Sequence, residues 1–295
     1  MFLVTGATGG LGRRLVRLLR QQESAVRAFV RLNSSYAELE HRGTEIFIGD
    51  LLRERDVQRA CQGVEYIISA HGSNERSGGD AEAIDYQANI ELIDQAKAFG
   101  VKHFVFISVL GVDRDYEDAP VFKAKWAVEK YLKGSGLNYT ILRPSGFASN
   151  LLPLAERFRN TGVYLLIGDP QNRSSILSTD DLAQIAINSI SIEAARNQIF
   201  PVGGPEILKR GDIPQILSRI FNRDPILINP PLLAIDGLRG AIGLFNPALR
   251  VSLGTLRTLL ANEFFCPIAE VEHVESVFSL KMETLEHFLR RYLGI

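Results

Sequence analysis

Three glycines at three-residue spacing, Gly6, Gly9 and Gly12, stand between an apolar run ending in Leu3 and Val4 and a segment whose Leu11, Leu15, Leu18 and Leu19 recur at helical spacing. Strand, tight turn and helix together form the setting in which such a triplet holds a phosphate. Gly6 lets the chain leave the strand sharply, Gly9 lets backbone approach a diphosphate with no side chain between, and Gly12 lets the helix lie close to the sheet. N–H groups at the helix start then face the anion, and the helix dipole favours negative charge there. Thr5, Gly6, Thr8, Gly9, Gly10, Leu11 and Gly12 are accordingly expected to contact a dinucleotide. The plain alternative is a glycine-rich turn with no ligand, and the flanking strand and amphipathic helix weigh against it.

Short β-rich runs alternate with helical patterns well beyond this turn. Strands are expected at residues 26–30, 45–48, 64–69, 103–108 and 139–142, with helices near 53–61, 81–99 and 122–133. That alternation predicts an α/β fold, a doubly wound parallel sheet of Rossmann type with helices on both faces. The strand runs are nearly continuously apolar, as burial on both faces demands. From about residue 147 the rhythm changes to a helix at 148–159, strands at 163–167 and 174–177, a helix at 181–190, a strand at 198–202 and a mostly helical tail. The expected division is a dinucleotide-binding domain over 1–146, with 173–202 returning to its sheet, and a smaller substrate or partner lobe over 147–172 and 203–295. Such a lobe would lie over the carboxyl ends of the strands, where open α/β sheets bind ligands.

Composition excludes several classes. Lys and Arg number 33 against 34 Asp and Glu, a net charge of −1 that offers nucleic acid no general attraction. Two cysteines, Cys61 and Cys266, make no disulfide framework, and five scattered histidines give no zinc spacing. A reducing, cytoplasmic setting is expected. The first strand begins at residue 2, leaving no room for a leader peptide, and no apolar run reaches the length of about 20 residues that spans a bilayer. Residues 230–262 are rich in Leu, Ile and Ala, punctuated by Arg239, Arg250 and Arg257. They read as lobe core, a partner surface or an interfacial helix. Core is favoured because the apolar residues are not confined to one face, and membrane contact is not expected.

The second strand ends Phe29-Val30-Arg31, and no acidic residue occurs between Val26 and Ala37. An acidic residue there would bind a ribose 2′-hydroxyl, whereas arginine accommodates a 2′-phosphate. Arg13, directly after the last glycine, can offer a second guanidinium to the same group. The alternatives are a solvated loop for Arg31 and an exposed basic stripe with Arg17 and Arg20 for Arg13. NADP(H) is therefore expected ahead of NAD(H). Asp50 and Leu51 follow the third strand on the adenine side, Asp50 also being able to cap the next helix. Ser69, Ala70 and His71 end the fourth strand, where small residues would pass over the adenine-side ribose and His71 could meet substrate, although a lone loop histidine is usually polar surface.

At this point the chain resembles the atypical short-chain dehydrogenase/reductases, specifically the NmrA-like group. The resemblance is carried by Thr5-Gly-Ala-Thr-Gly-Gly-Leu-Gly12, Val30-Arg31, Gly49-Asp50, Tyr86-Gln-Ala-Asn89, Phe104-Val-Phe-Ile-Ser108, Lys125 with Glu129, and Leu142-Arg-Pro-Ser-Gly-Phe147. It spans about residues 1–190, and Thr284–Tyr292 is similar to the group's closing helix. The resemblance implies that Lys125 meets the nicotinamide ribose or donates a proton, desolvated by Phe122 and Trp126. The residue-level alternative is an exposed lysine paired with Glu129 one turn on. Ser108 would polarise a substrate carbonyl or merely cap its strand, and Asn89 would fix backbone at the centre of the sheet. Pro144, Ser145, Gly146 and Phe147 would line the nicotinamide, with Phe147 covering one face.

One departure matters. The superfamily's acid is a tyrosine one helical turn before the lysine, and here that position is Val121, which can neither donate nor accept a proton. Tyr116, in the turn-rich stretch 113–120, is expected to be an exposed loop residue unless the loop folds back. Two readings follow. One is a reductase of a small apolar substrate, a quinone, an enone or another conjugated carbonyl. The other is a non-catalytic dinucleotide-binding sensor or assembly factor acting through a protein partner. A nucleotide-sugar epimerase or dehydratase is disfavoured, because those chemistries lean on the missing tyrosine.

Overall fold

The computed structural model describes residues 1–73, 80–243 and 245–295. In chain order, β1 (Phe2–Thr5), α1 (Gly10–Gln21), β2 (Val26–Val30), α2 (Ala37–His41), β3 (Glu45–Ile48), α3 (Glu54–Cys61) and β4 (Tyr66–Ser69) build the first half of a sheet. A π-helical turn (Glu82–Gln87), α4 (Ala88–Ala98), β5 (His103–Ile107), α5 (Pro120–Gly134) and β6 (Tyr139–Pro144) extend it. After a 3₁₀ turn (Ala148–Leu151) come α6 (Leu152–Thr161), β7 (Val163–Leu165), β8 (Arg173–Ser174), α7 (Thr179–Asn188) and β9 (Gln198–Val202). The tail holds β10 (Leu208–Lys209), α8 (Asp212–Phe221), β11 (Ile226–Ile228), α9 (Leu232–Gly243), α10 (Pro247–Ala261), α11 (Ile268–Phe278) and α12 (Leu285–Leu293).

The main sheet has seven strands in the order β3-β2-β1-β4-β5-β6-β9. Every pair from β3 through β6 is parallel. The expected doubly wound Rossmann sheet is thus present, and strand order reverses between β1 and β4, the switch point at which such sheets bind ligands. Leu3, Ile67, Phe104 and Tyr139 stand in register across four strands. They share a buried cluster with Val57, Ala60, Leu92 and Val128 from the covering helices. The alternate positions Val4, Ile68 and Val105 are also fully buried, so both faces are covered. Burial of each such side chain stabilises by about 1.5–3 kcal/mol, which explains why these strands are continuously apolar.

Contact clustering gives two compact units. The first comprises Met1–Asp115, Pro120–Arg143 and Leu182–Phe200, and the second comprises Tyr116–Ala119, Pro144–Asp181 and Pro201–Ile295. The second has its own core, in which Phe158 and Ala155 of α6, Ile216 and Leu217 of α8, and Leu285, Phe288 and Leu289 of α12 come together.

Several boundaries differ from expectation. β4 starts at Tyr66 because the Val64 amide is spent on the Cys61 carbonyl, closing the exit of α3. The helix expected over 81–99 is a π turn followed by α4, and the one expected over 148–159 is a 3₁₀ turn followed by α6. The strand expected at 174–177 shrinks to Arg173–Ser174, because successive residues pair with different segments: Ser174 bridges Phe264 and Leu177 bridges Phe147. Residues 230–262 are not ordinary core. Leu233 (76%), Leu238 (50%) and Phe245 (88%) stand exposed, while Ile235 is buried. No helix among the described residues is long and apolar enough to cross a membrane.

Candidate dinucleotide site

The glycine turn closes against the exit of β4. Gly6 has φ +65°, and a Cβ there would lie 2.5 Å from the Ala70 carbonyl oxygen. A Cβ on Gly12 would lie 2.1 Å from the Gly6 carbonyl oxygen. Both obstacles are backbone, so no side chain fits either position. α1 has Gly9 as its N-cap, with no side-chain cap and no acidic residue in the first turn. Its positive end is therefore available to an anion. Beside the turn lies a pocket of about 230 Å³ lined by Gly6, Thr8, Gly9, Phe29, Val30, Arg31, Ser34, Asp50, Leu51, Ala70, His71, Gly72 and Ile84. The residues present fit a dinucleotide diphosphate, since the cradle is open only where glycine stands.

The two candidate arginines differ. Arg31 is exposed on the pocket wall, and its guanidinium makes no hydrogen bond or ion pair among the described residues. Arg13 is already engaged: its side chain donates to the Thr8 carbonyl at 3.1 Å and the Ser35 carbonyl at 2.6 Å, and pairs with Glu38 at 3.1 Å. It ties the glycine turn to the chain after β2 rather than standing free for a phosphate. Glu38 directly follows the acid-free stretch from Val26 to Ala37. Asp50 does not cap α3, whose N-cap is Arg53; its carboxylate accepts instead from the Leu52 amide at 3.0 Å.

His71 is not polar surface. It is buried, and its Nδ1 lies 2.8 Å from Thr5 Oγ1 and 3.3 Å from Ser69 Oγ. The Asn89 amide donates to the Asp85 carbonyl at 2.9 Å, which turns its Oδ1 toward Ser69, whose hydroxyl donates to it at 2.6 Å. Ser69 therefore has only a lone pair to offer Nδ1, whereas the Thr5 hydroxyl can donate to it or accept from it. Nε2 is buried without a hydrogen-bond partner among the described residues. Burial, reinforced by the Lys125 charge and opposed by Asp85, lowers the imidazole pKa to about 4.

Lys125 is buried, not an exposed partner of Glu129. Its ammonium donates to the Ile107 carbonyl at 2.9 Å, faces Asp85 Oδ1 at 3.6 Å and lies 5.1 Å from the Phe106 ring centroid. Trp126, expected to desolvate it, carries Lys130 and Arg143 over its ring. Glu129 is fully buried, accepts from Ser108 Oγ at 2.5 Å and holds Arg143 in a fork at 3.0 and 2.6 Å. Burial works against the Arg143 charge, yet the bonds to Glu129 and Asp113 carry its pKa above the ordinary value. Val121 is half-buried near the start of α5. Tyr116 is half-buried too, not an exposed loop residue, with its ring 5.9 Å from that of Phe264.

Pro144 to Phe147 belong to the second unit. There the Ser145 hydroxyl donates to the Ser175 carbonyl, the Leu177 amide donates to the Gly146 carbonyl at 2.9 Å, and Phe147 bridges Leu177. Sequence reasoning passed over Asp85, Glu129 as a base for Ser108 and Arg143, and Glu38. Asp85 is 40 positions from Lys125 and shows no spacing signal, while Glu129 was legible as a neighbour of Lys125 and paired elsewhere. No group of three or more candidate metal ligands occurs among the described residues.

Residues 6–193 match the model of a family described as NAD(P)H-binding. The chain is 27% identical over 300 residues to the photosystem II assembly factor Ycf39 of Cyanophora paradoxa, covering 99% of this chain and 92% of that one. It is 30% identical over 228 residues to an NAD(P)H azoreductase of Xenophilus azovorans, covering 76% and 74%. Among solved structures, an NADPH-dependent quinone oxidoreductase from Escherichia coli in complex with NADPH superimposes with a TM-score of 0.79 at 22% identity, covering 99% of this chain and 100% of that one.

Proposed function

The chain belongs to the NAD(P)H-binding family of NmrA-like atypical short-chain dehydrogenase/reductases, and from that premise we propose that it is an NADP(H)-dependent reductase of an apolar conjugated acceptor such as a quinone or an enone. The observation that carries this reading is Lys125, a buried ammonium held by Ile107 and Asp85 at the end of β5, in the same unit as the glycine turn. When bound, a nicotinamide dinucleotide supplies the hydride; the protein supplies binding, orientation and electrostatics. The glycine turn and the start of α1 would hold the diphosphate, and Arg31 on the pocket wall would take a 2′-phosphate. Lys125 would hold a ribose hydroxyl or deliver the proton that a reduced acceptor requires, Val121 being unable to do so. The azoreductase and quinone oxidoreductase to which the chain is similar favour this class of acceptor.

A second reading, a dinucleotide-binding sensor or assembly factor acting through a protein partner, rests on two facts. Val121 stands where the acid is needed, and the Ser108 hydroxyl is directed to Glu129. Similarity to an assembly factor over nearly the whole chain also favours it. An NADPH-oxidation screen over quinones and enones decides between them. Turnover abolished by Lys125→Ala supports the reductase, whereas tight NADPH binding without turnover on any acceptor supports the sensor.

A further inference from the structure

We propose that Asp85 is the positioning residue of this site, a carboxylate buried in the π turn so as to hold the Lys125 ammonium at the end of β5. The inference rests on the functional reading above and assigns a role within it.

Asp85 has no exposed surface, and a buried carboxylate is retained only where a charge and hydrogen bonds compensate its desolvation. One oxygen, Oδ2, accepts from the Ser73 amide at 3.0 Å. The other, Oδ1, has no hydrogen-bond partner among the described residues and faces Lys125 Nζ at 3.6 Å, within ion-pair range and beyond a direct hydrogen bond. The ammonium spends one donor on the Ile107 carbonyl, which leaves two others. A carbonyl oxygen, the face of the Phe106 ring and the Asp85 carboxylate, all electronegative, therefore converge on one cation.

The backbone that carries Asp85 is fixed in its turn. It lies within Glu82–Gln87, and single π turns recur at functional sites because the extra residue re-aims a side chain. The Asn89 amide holds the Asp85 carbonyl, and its oxygen accepts from Ser69 at the end of β4. The end of β4, Asn89, Asp85, Lys125 and the end of β5 thus form one chain of contacts between adjacent strands at the ligand-binding edge. Long contacts of this kind commonly tighten in the loaded site.

Asp85→Asn separates the possible roles, since it keeps the volume and an oxygen for the Ser73 amide and removes only the charge. Fluorescence titration with NADPH and with NADH, and thermal unfolding, are measured on the full chain as wild type, Asp85→Asn, Lys125→Met and the double variant. The expected result is an NADPH Kd about tenfold weaker in Asp85→Asn, a similar loss in Lys125→Met, and no further loss in the double variant. Asp85→Asn binding like wild type overturns the proposal. So does a double variant that binds more weakly than Lys125→Met, because Asp85 would then act by another route. That second comparison holds even if Asp85→Asn alone fails to fold, as the double variant leaves no unpaired buried charge. Wild type binding neither dinucleotide would overturn the functional reading itself, and the inference with it.

Discussion

Ser108 donates its hydroxyl hydrogen to Glu129 at 2.5 Å, and the same carboxylate grips Arg143 in a fork. A serine at this strand end is expected either to face a substrate carbonyl or to cap its strand; here it closes a buried charge cluster. Glu129 has no exposed surface and the Arg143 side chain only 13%, so the pair is poorly screened. Glu129→Gln leaves Arg143 without its main counter-charge and should cost about 3–5 kcal/mol. A lowered midpoint in denaturant titration is the expected outcome, and an unchanged midpoint would remove Glu129 from the framework.

Gly12→Ala should abolish dinucleotide binding. The added Cβ would meet the Gly6 carbonyl oxygen at 2.1 Å, and neither backbone segment can give way without opening the turn. Overpacking of this kind costs about 1–3 kcal/mol, and more where backbone is the obstacle. Calorimetric titration with NADPH together with thermal unfolding reads both effects. Wild-type affinity in the variant would show that the turn is not the binding element.

The two arginines should behave differently. Arg31→Ala removes a guanidinium without a partner among the described residues and should lower the NADPH-to-NADH affinity ratio about tenfold, with little change in stability. Arg13→Ala breaks contacts to Thr8, Ser35 and Glu38 and should weaken both dinucleotides alike. Paired titrations of each variant with the two cofactors test this. An unchanged ratio in Arg31→Ala contradicts the 2′-phosphate assignment.

His71 and His103 should make the fold acid-labile. Burial lowers each imidazole from 6.5 to about 4, helped by Lys125 at His71 and by Arg196 at His103. Because the folded pKa lies below the unfolded one, the unfolded chain takes up the protons first as pH falls. Their contribution is complete above pH 6.5 and is lost as pH drops toward 4. Each proton accounts for up to about 1.4 kcal/mol per pH unit in that window. Melting temperature measured from pH 7.5 to 4.5 should decline through it. His103→Gln, which keeps a donor toward Thr140, should flatten the curve.

Local sequence determined the parts of this protein in which neighbours in the chain are neighbours in space. The glycine turn is one such part, because strand, bend and helix are contiguous and Gly12 lies so close to the Gly6 carbonyl that no Cβ fits between them. The parallel sheet is another, because burial on both faces writes itself as uninterrupted apolar runs. The placement of Arg31 at the end of β2 belongs with them, and so does the absence of the usual acid at Val121.

Tertiary structure alone decided which partners the charged side chains took. Glu129 is one helical turn from Lys125 yet turns to Ser108 and Arg143, while Lys125 faces Asp85 from a different helix. His71 reads as surface, yet packing against Thr5 and Ser69 buries it. Residues 230–262 carry enough apolar side chains for a core, yet leave Leu233 and Phe245 in solvent. The physical reason is common to all of these. Hydrophobic periodicity fixes which face of an element turns inward, but a buried charge goes to whichever opposite charge the folded chain brings within reach, and chain separation carries no record of that choice.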